Sequence, residues 1–161
     1  MQIKRSQIYF MFVLFLSFFL LGCSFAPGQK LSKAEMQELV ARAQQSKLII
    51  LDVYHNRCES CKHIEPVFEQ LKEKYSTNKD ITFLKYDLSN PFTILDSLKI
   101  AKALGIQDIY KAQRFSGIVL LIDPKEKKVI DTLIAEYNFD KYINVIESLL
   151  KEAPKGPANE T

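Results

Sequence analysis

Hydrophobic and polar positions along the chain follow two periods, and the changes of period predict the order of strands and helices. Leu48 to Tyr54 is apolar on both faces, which is typical of a strand at the centre of a covered sheet. Three further runs read as strands: Ile81–Asp87, 117–122 and Lys128–Ile134. Apolar residues at helical spacing predict four helices, which begin near Ser32, Cys58, Asn90 and Phe139.

The predicted order is α, β, α, β, α, β, β, α. A strand–helix–strand unit followed by a helix, a hairpin and a last helix gives a mixed sheet with helices on both faces. Local signals support the helix ends: Ser32 and Glu35 are spaced as a capping box, and Gly105 suits a helix C-terminus. We therefore expect one α/β domain over 31–152, followed by a disordered tail at 153–161.

The first residues have the pattern of a targeting signal rather than of a folded element. Lys4 and Arg5 precede an apolar stretch at 8–21, which is short for a transmembrane helix. The stretch ends in Leu-Leu-Gly-Cys at 20–23, which resembles the lipobox of bacterial lipoproteins. The resemblance implies a signal peptide at 1–22, a lipid on Cys23 and a linker at 23–30. An ordinary cleaved signal or an uncleaved anchor is the alternative.

That resemblance also implies where the protein is located. Its domain would be anchored to a membrane of the bacterial cell envelope by the N-terminal lipid and would face the periplasm or the outside. The chain has 22 basic and 19 acidic residues, and Lys4 and Arg5 account for two of the basic ones. The formal charge therefore falls from +3 to about +1 without the signal. No basic patch interleaved with aromatic residues stands out, so we do not expect a nucleic-acid partner.

The strongest chemical signal is Cys58-Glu59-Ser60-Cys61, where a strand gives way to a helix. A cysteine at a helix N-terminus faces unpaired N–H groups and the positive end of the dipole, which lower its pKa. Cys58 is therefore the predicted nucleophile, and Cys61 is the predicted resolving thiol on the same helix face. A metal site is the alternative, because His55 and the two sulfurs could bind copper or zinc.

The element order, this cysteine pair and four further residues resemble the thioredoxin superfamily over about 32–150. The four residues are Asp52, Lys62, Pro66 and Lys85. The resemblance implies a three-layer α/β/α sandwich with a central mixed sheet and a thiol–disulfide oxidoreductase that exchanges disulfides with protein partners without a cofactor. It also implies that Asp52 relays a proton for the second thiol, and that Lys85 is the matching lysine of the next strand.

Two departures from the family pattern fall beside the cysteines. Arg57 stands where thioredoxins usually have tryptophan, and Gly117, preceded by Ser116, stands where they have a cis-proline. We assign Arg57, Ser116 and Gly117 to substrate binding, and we expect 106–116 to be a long loop around Cys58. Metal delivery and a redox-silent binding module remain alternative functions, and the direction of exchange and the identity of the partners stay open.

Overall fold

The computed structural model describes residues 32–152. The predicted signal peptide, the lipidation site Cys23, the linker and the tail lie outside these residues. None of the helices within them combines the length and the apolar character that crossing a bilayer requires.

Four strands form one mixed sheet, in the order β2-β1-β3-β4. Their bounds are β1 Leu48–Tyr54, β2 Ile81–Asp87, β3 Ile118–Asp123 and β4 Lys128–Ile134. β1 is parallel to β2 and antiparallel to β3, and β3 is antiparallel to β4. β1 is therefore central, which explains why it is apolar on both faces.

Five helices are described: α1 Lys33–Gln45, α2 Glu59–Lys74, α3 Pro91–Leu104, α4 Gln107–Ala112 and α5 Phe139–Glu152. The predicted capping box is present, since Glu35 N donates to Ser32 Oγ and Ser32 N donates to Glu35 Oε2. α3 ends at Gly105, whose φ of 71° is left-handed. Pro66 lies inside α2, as predicted.

The helices cover both faces of the sheet, so the predicted three-layer α/β/α architecture is confirmed. We call the side under α1, α3 and α4 the α3 face; its core includes Ile49, Leu51 and Val53 of β1. We call the side under α2 and α5 the α2 face; its core includes Leu48 and Ile50. The alternation of β1 therefore directs Asp52 to the α2 face.

The expectation of a long loop at 106–116 is wrong for most of that segment, because α4 occupies 107–112. Ile106 and Tyr110 are four residues apart and are both buried in the α3 face. The Tyr110 ring lies 4.6 Å from the Tyr86 ring, centroid to centroid. Only the end of the segment is a rim, where Phe115 is 75% exposed.

Candidate active site

Cys58 is the N-cap of α2, and three residues connect it to the end of β1. Its Sγ accepts a hydrogen bond from Cys61 N at 3.2 Å. The thiol therefore takes the place of the Ser, Thr or Asp side chain that usually caps a helix. Cys58 is half-buried and Cys61 is 1% exposed, and both are free thiols. Cys58 is thus partly accessible to solvent, whereas Cys61 is shielded from it.

The two thiols have opposite electrostatic surroundings. Burial raises the pKa of Cys58, but hydrogen bonds from the Cys61 thiol, from Ser116 and from backbone N–H groups outweigh it, and the pKa is lowered overall. Burial also raises the pKa of Cys61, and there the hydrogen bond with Cys58 adds to the increase. This asymmetry suits Cys58 as the attacking thiolate and Cys61 as a resolving thiol that stays protonated during the first attack.

The loop that precedes β3 packs closely against the N-terminus of α2. Gly117 has a φ of 79°, and a Cβ there would lie 2.9 Å from Ser60 Cβ and 3.4 Å from Cys58 Sγ. Hydrogen bonds hold this position on both sides, from Gly117 N to Val53 O and from Ala135 N to Gly117 O, each 2.9 Å. Glycine is required here both by the left-handed backbone and by the lack of space.

Of the three residues assigned to substrate binding, Ser116 and Gly117 lie close to Cys58 Sγ, whereas Arg57 is exposed on the preceding loop. Ser116 interacts with the Cys58 thiol, and a Cβ on Gly117 would lie 3.4 Å from Cys58 Sγ, so both residues are close to Cys58. Arg57 is exposed on the loop before α2, and its backbone N donates to His55 Nδ1 at 3.0 Å. The described residues contain no cis peptide bond, so Gly117 fills the expected cis-proline position with a trans peptide.

The proposed metal ligands are not gathered into a recognisable site. Within 32–152, no group of three or more His, Cys, Asp or Glu side chains is arranged to hold a metal ion. His55 Nδ1 already accepts the bond from Arg57 N. The His63 ring turns towards the Tyr137 ring, 5.4 Å away between centroids, and Nε2 lies 3.7 Å from Glu59 Oε1.

Asp52 lies 3% exposed on the α2 face, on the strand that also contacts Cys61. Cys61 Sγ lies 3.9 Å from the carbonyl oxygen of the next residue, Val53. Asp52 Oδ1 has no hydrogen-bond partner within the described chain. Burial raises the pKa of Asp52 to about 6, against the attraction of Lys85 and Lys72. A carboxyl with this pKa can accept a proton near neutral pH.

Lys85 is the register partner of Asp52 across β1 and β2, but its ammonium lies elsewhere. Nζ sits 3.5 Å from the centroid of the Tyr54 ring and 3.5 Å from Glu65 Oε1. Tyr54 and Glu65 are therefore parts of this site that were not predicted from the sequence. Both have a simple signal: Tyr54 is two residues after Asp52 on a strand, and Glu65 is one helical turn after Cys61.

Comparison with known proteins agrees with this geometry. Residues 28–109 match the family model described as Thioredoxin. "Thioredoxin F1, chloroplastic" of Arabidopsis thaliana is 41% identical over 68 residues, which are 42% of this chain and 34% of the relative. A thioredoxin of Coprinus comatus is 32% identical over 78 residues, which are 48% of this chain and 72% of the relative. The chain thus spans about a third of the length of the chloroplast relative.

A solved structure supports the fold independently of the sequence matches. The solution structure of a Neisseria meningitidis protein described as a thioredoxin superposes with a TM-score of 0.51 at 14% identity. The superposition covers 74% of this chain and 86% of that one. At this identity the similarity concerns the arrangement of strands and helices.

Proposed function

The chain belongs to the thioredoxin family, and from this premise we propose that it is a thiol–disulfide oxidoreductase that exchanges disulfides with protein partners through Cys58 and Cys61. One observation carries the proposal: a half-buried thiol with a lowered pKa caps α2, one turn before a buried thiol with a raised pKa. Nucleophilic attack needs a thiol that ionises easily, as Cys58 does. Resolution of the mixed disulfide needs a second thiol that stays protonated until then, as Cys61 does.

The reaction runs in two balanced steps. The Cys58 thiolate attacks one sulfur of a partner disulfide, the partner's S–S bond breaks, and the other partner sulfur leaves as a thiolate. Cys61 then gives its proton towards Asp52, and its sulfur attacks Cys58. The mixed disulfide breaks, the Cys58–Cys61 disulfide forms, and the partner leaves fully reduced. The pair itself supplies the two electrons, so no cofactor is required, and the reverse sequence oxidises a partner.

The surface around Cys58 offers a partner both polar and apolar contacts. Ser116 and Gly117 form the wall nearest the sulfur, and the exposed Arg57 side chain precedes it in the chain. Phe115 stands next to Ser116 and is 75% exposed. A partner segment that reaches Cys58 therefore passes a cation and an aromatic ring, which favours particular partners over a general exchange.

We further propose that the domain works at a membrane of the bacterial envelope, anchored by a lipid on Cys23 and facing the periplasm or the outside. The support is the sequence alone: Lys4 and Arg5, the apolar run at 8–21 and the lipobox-like Leu-Leu-Gly-Cys. Exchange of disulfides is also consistent with an oxidising compartment.

A trapping experiment in the native host tests the function. Full-length Cys61→Ser lacks the resolving thiol, so Cys58 should accumulate as mixed disulfides with partners that disappear on reduction. Cys58→Ser/Cys61→Ser is the matched control and should trap nothing. If Cys61→Ser traps no partner and oxidation does not change alkylation of the wild-type thiols, the proposed exchange is wrong.

The same cells test the anchor with one further substitution. In the Cys61→Ser background, the mixed disulfides should fractionate with membranes and the protein should incorporate a labelled fatty acid. Adding Cys23→Ser should abolish the label and move the mixed disulfides to the soluble fraction. Retention of label and membrane association in this variant would refute the lipid anchor and leave the redox assignment standing.

A further inference from the structure

The position of the Lys85 ammonium is unexpected for a residue paired in register with a buried acid. Asp52 and Lys85 are opposite each other across two parallel strands. The Lys85 ammonium nevertheless lies against the Tyr54 ring and beside Glu65 Oε1, 3.5 Å from each. Asp52 Oδ1, meanwhile, is buried without a hydrogen-bond partner in the described chain. The contacts of the Lys85 ammonium are therefore with Tyr54 and Glu65, while its attraction for Asp52 acts without a direct ion pair.

Several elements place charged or titratable groups towards Asp52. β2 contributes Lys85 and Asp87, α2 contributes Glu65 and Lys72, and the phenols that interact with Asp52 are Tyr54 of β1 and Tyr142 of α5. Lys72 Nζ is held by Glu69 Oε1 at 2.7 Å, whereas Tyr142 Oη donates to Glu136 O at 3.2 Å. Glu65 thus acts on Asp52 twice, by direct repulsion and through the lysine that it attracts.

We propose that Glu65 is a positioning residue: with the Tyr54 ring it holds the Lys85 ammonium away from Asp52, so that the buried carboxyl stays unpaired and can accept the Cys61 proton. The inference rests on the proposed function and names the residue that tunes its second step. Glu65 is half-exposed, lies one turn after Cys61 on α2 and pairs with Lys85.

The consequence of removing the Glu65 charge follows from electrostatics. Without it, Lys85 keeps only the aromatic contact and can turn to Asp52, its neighbour across the strands. Both the lost repulsion and the new attraction favour the ionised carboxylate, so the pKa of Asp52 falls. A weaker base takes the Cys61 proton less readily, which slows resolution near neutral pH. Attack by Cys58 does not need this proton transfer.

Rapid mixing of reduced full-length protein with dithiobis-nitrobenzoate separates the two steps. Attack by Cys58 breaks the reagent disulfide and releases one nitrothiobenzoate; attack by Cys61 on the mixed disulfide releases the second. For Glu65→Gln we expect an unchanged first phase and a second phase about two-fold slower at neutral pH. When the rate of the second phase is plotted against pH, its rise on the acid side should move about half a pH unit lower. Glu73→Gln, the same charge change at an exposed site on α2, should behave like the wild type.

Two further measurements exclude a general effect on packing. In the Asp52→Asn background, Glu65→Gln should leave the second phase unchanged, because the base that it tunes is absent. The carboxyl carbon signal of Asp52 in the reduced protein should titrate at lower pH in Glu65→Gln than in the wild type. An unmoved titration, or an equal slowing with and without Asp52, overturns the inference.

The outcomes also separate this inference from the proposed function. If the wild type releases neither nitrothiobenzoate at an appreciable rate, the thiols are not an exchange pair, and both proposals fail. If both phases are present but the pH dependence of the second is the same in Glu65→Gln, the exchange function stands and the role of Glu65 is wrong.

Discussion

Leu51 and Asp52 are neighbours in β1 and point to opposite faces of the sheet, where they meet very different surroundings. Leu51 is fully buried on the α3 face, opposite Leu84 of β2 and Leu120 of β3. Asp52 points to the α2 face and is the only charged residue among the buried side chains of residues 32–152. The α3 face buries apolar and neutral polar groups, whereas the α2 face buries a group that can ionise.

The difference shows how one strand serves stability and chemistry together. Burial of an apolar side chain contributes to stability at any pH, because nothing in it titrates. Burial of a carboxyl opposes its ionisation, which makes the α2 face sensitive to pH but gives Asp52 a useful basicity. The two faces should therefore respond differently to substitution, in size and above all in pH dependence.

The largest effect on stability should come from the α3 face. Leu51→Ala removes three carbons from a site without solvent access and leaves a cavity between Leu84 and Leu120. We expect the free energy of unfolding to fall by about 3 kcal/mol. The loss should be equal at about pH 4.5 and about pH 8, since no titrating group is removed. Urea unfolding of the reduced protein at both pH values measures it.

Activity of the folded fraction supplies the control for Leu51→Ala. The variant should release both equivalents of nitrothiobenzoate at wild-type rates under conditions where it is folded, because the cysteines and Asp52 are on the other side of β1. A stability loss that varies strongly with pH would show that packing on the α3 face is coupled to the ionisation of Asp52. The proposed difference in pH dependence between the two faces would then be wrong.

Asp52→Asn should have the next largest effect, and the size of that effect should depend on pH. The pKa of Asp52 is raised from 3.8 to about 6 in the folded protein. The protonated carboxyl therefore contributes its full share to the free energy of unfolding at pH values below the pKa of Asp52 in the unfolded chain. This contribution is lost as pH rises through about 6. The asparagine variant does not titrate. Between about pH 4.5 and about pH 8 the wild type should therefore lose about 2 kcal/mol relative to it.

Unfolding of the reduced wild type and Asp52→Asn across this pH range measures the difference, and any pH-independent effect of the amide cancels. The variant should also slow the second phase of nitrothiobenzoate release. Parallel stability curves for the two proteins would mean that Asp52 ionises normally in the fold, and it would then be a poor proton acceptor for Cys61.

The same contrast explains what the sequence could reveal. The apolar run of β1, the order of the four strands, four of the five described helices and the proline inside α2 follow from periodicity and local signals, and these were predicted. α4 was missed because six residues contain too few turns to establish a helical period, and tertiary burial of Ile106 and Tyr110 stabilises it. The resemblance to thioredoxins implied Lys85 as the lysine that matches Asp52, and the two residues do pair in register. The position of the Lys85 ammonium depends on Tyr54 and Glu65, which the resemblance does not include.

The smallest effect concerns a polar group on the opposite face from Asp52. Thr82 is fully buried, and its Oγ1 has no hydrogen-bond partner within the described chain. It pairs in register with Ile49, so its side chain belongs to the α3 face. Thr82→Val replaces the hydroxyl by a methyl group and removes an unsatisfied polar atom, so the free energy of unfolding should rise by about 1 kcal/mol.

A hydroxyl does not titrate in this range, so the gain from Thr82→Val should be the same at about pH 4.5 and about pH 8, unlike the effect of Asp52→Asn. Thr82→Ser is the matched control: it keeps the hydroxyl, loses a methyl group and should destabilise the protein at both pH values. If valine destabilises the protein instead, a buried water satisfies Oγ1, and the α3 face would then contain a hydrated polar site like that of a functional face.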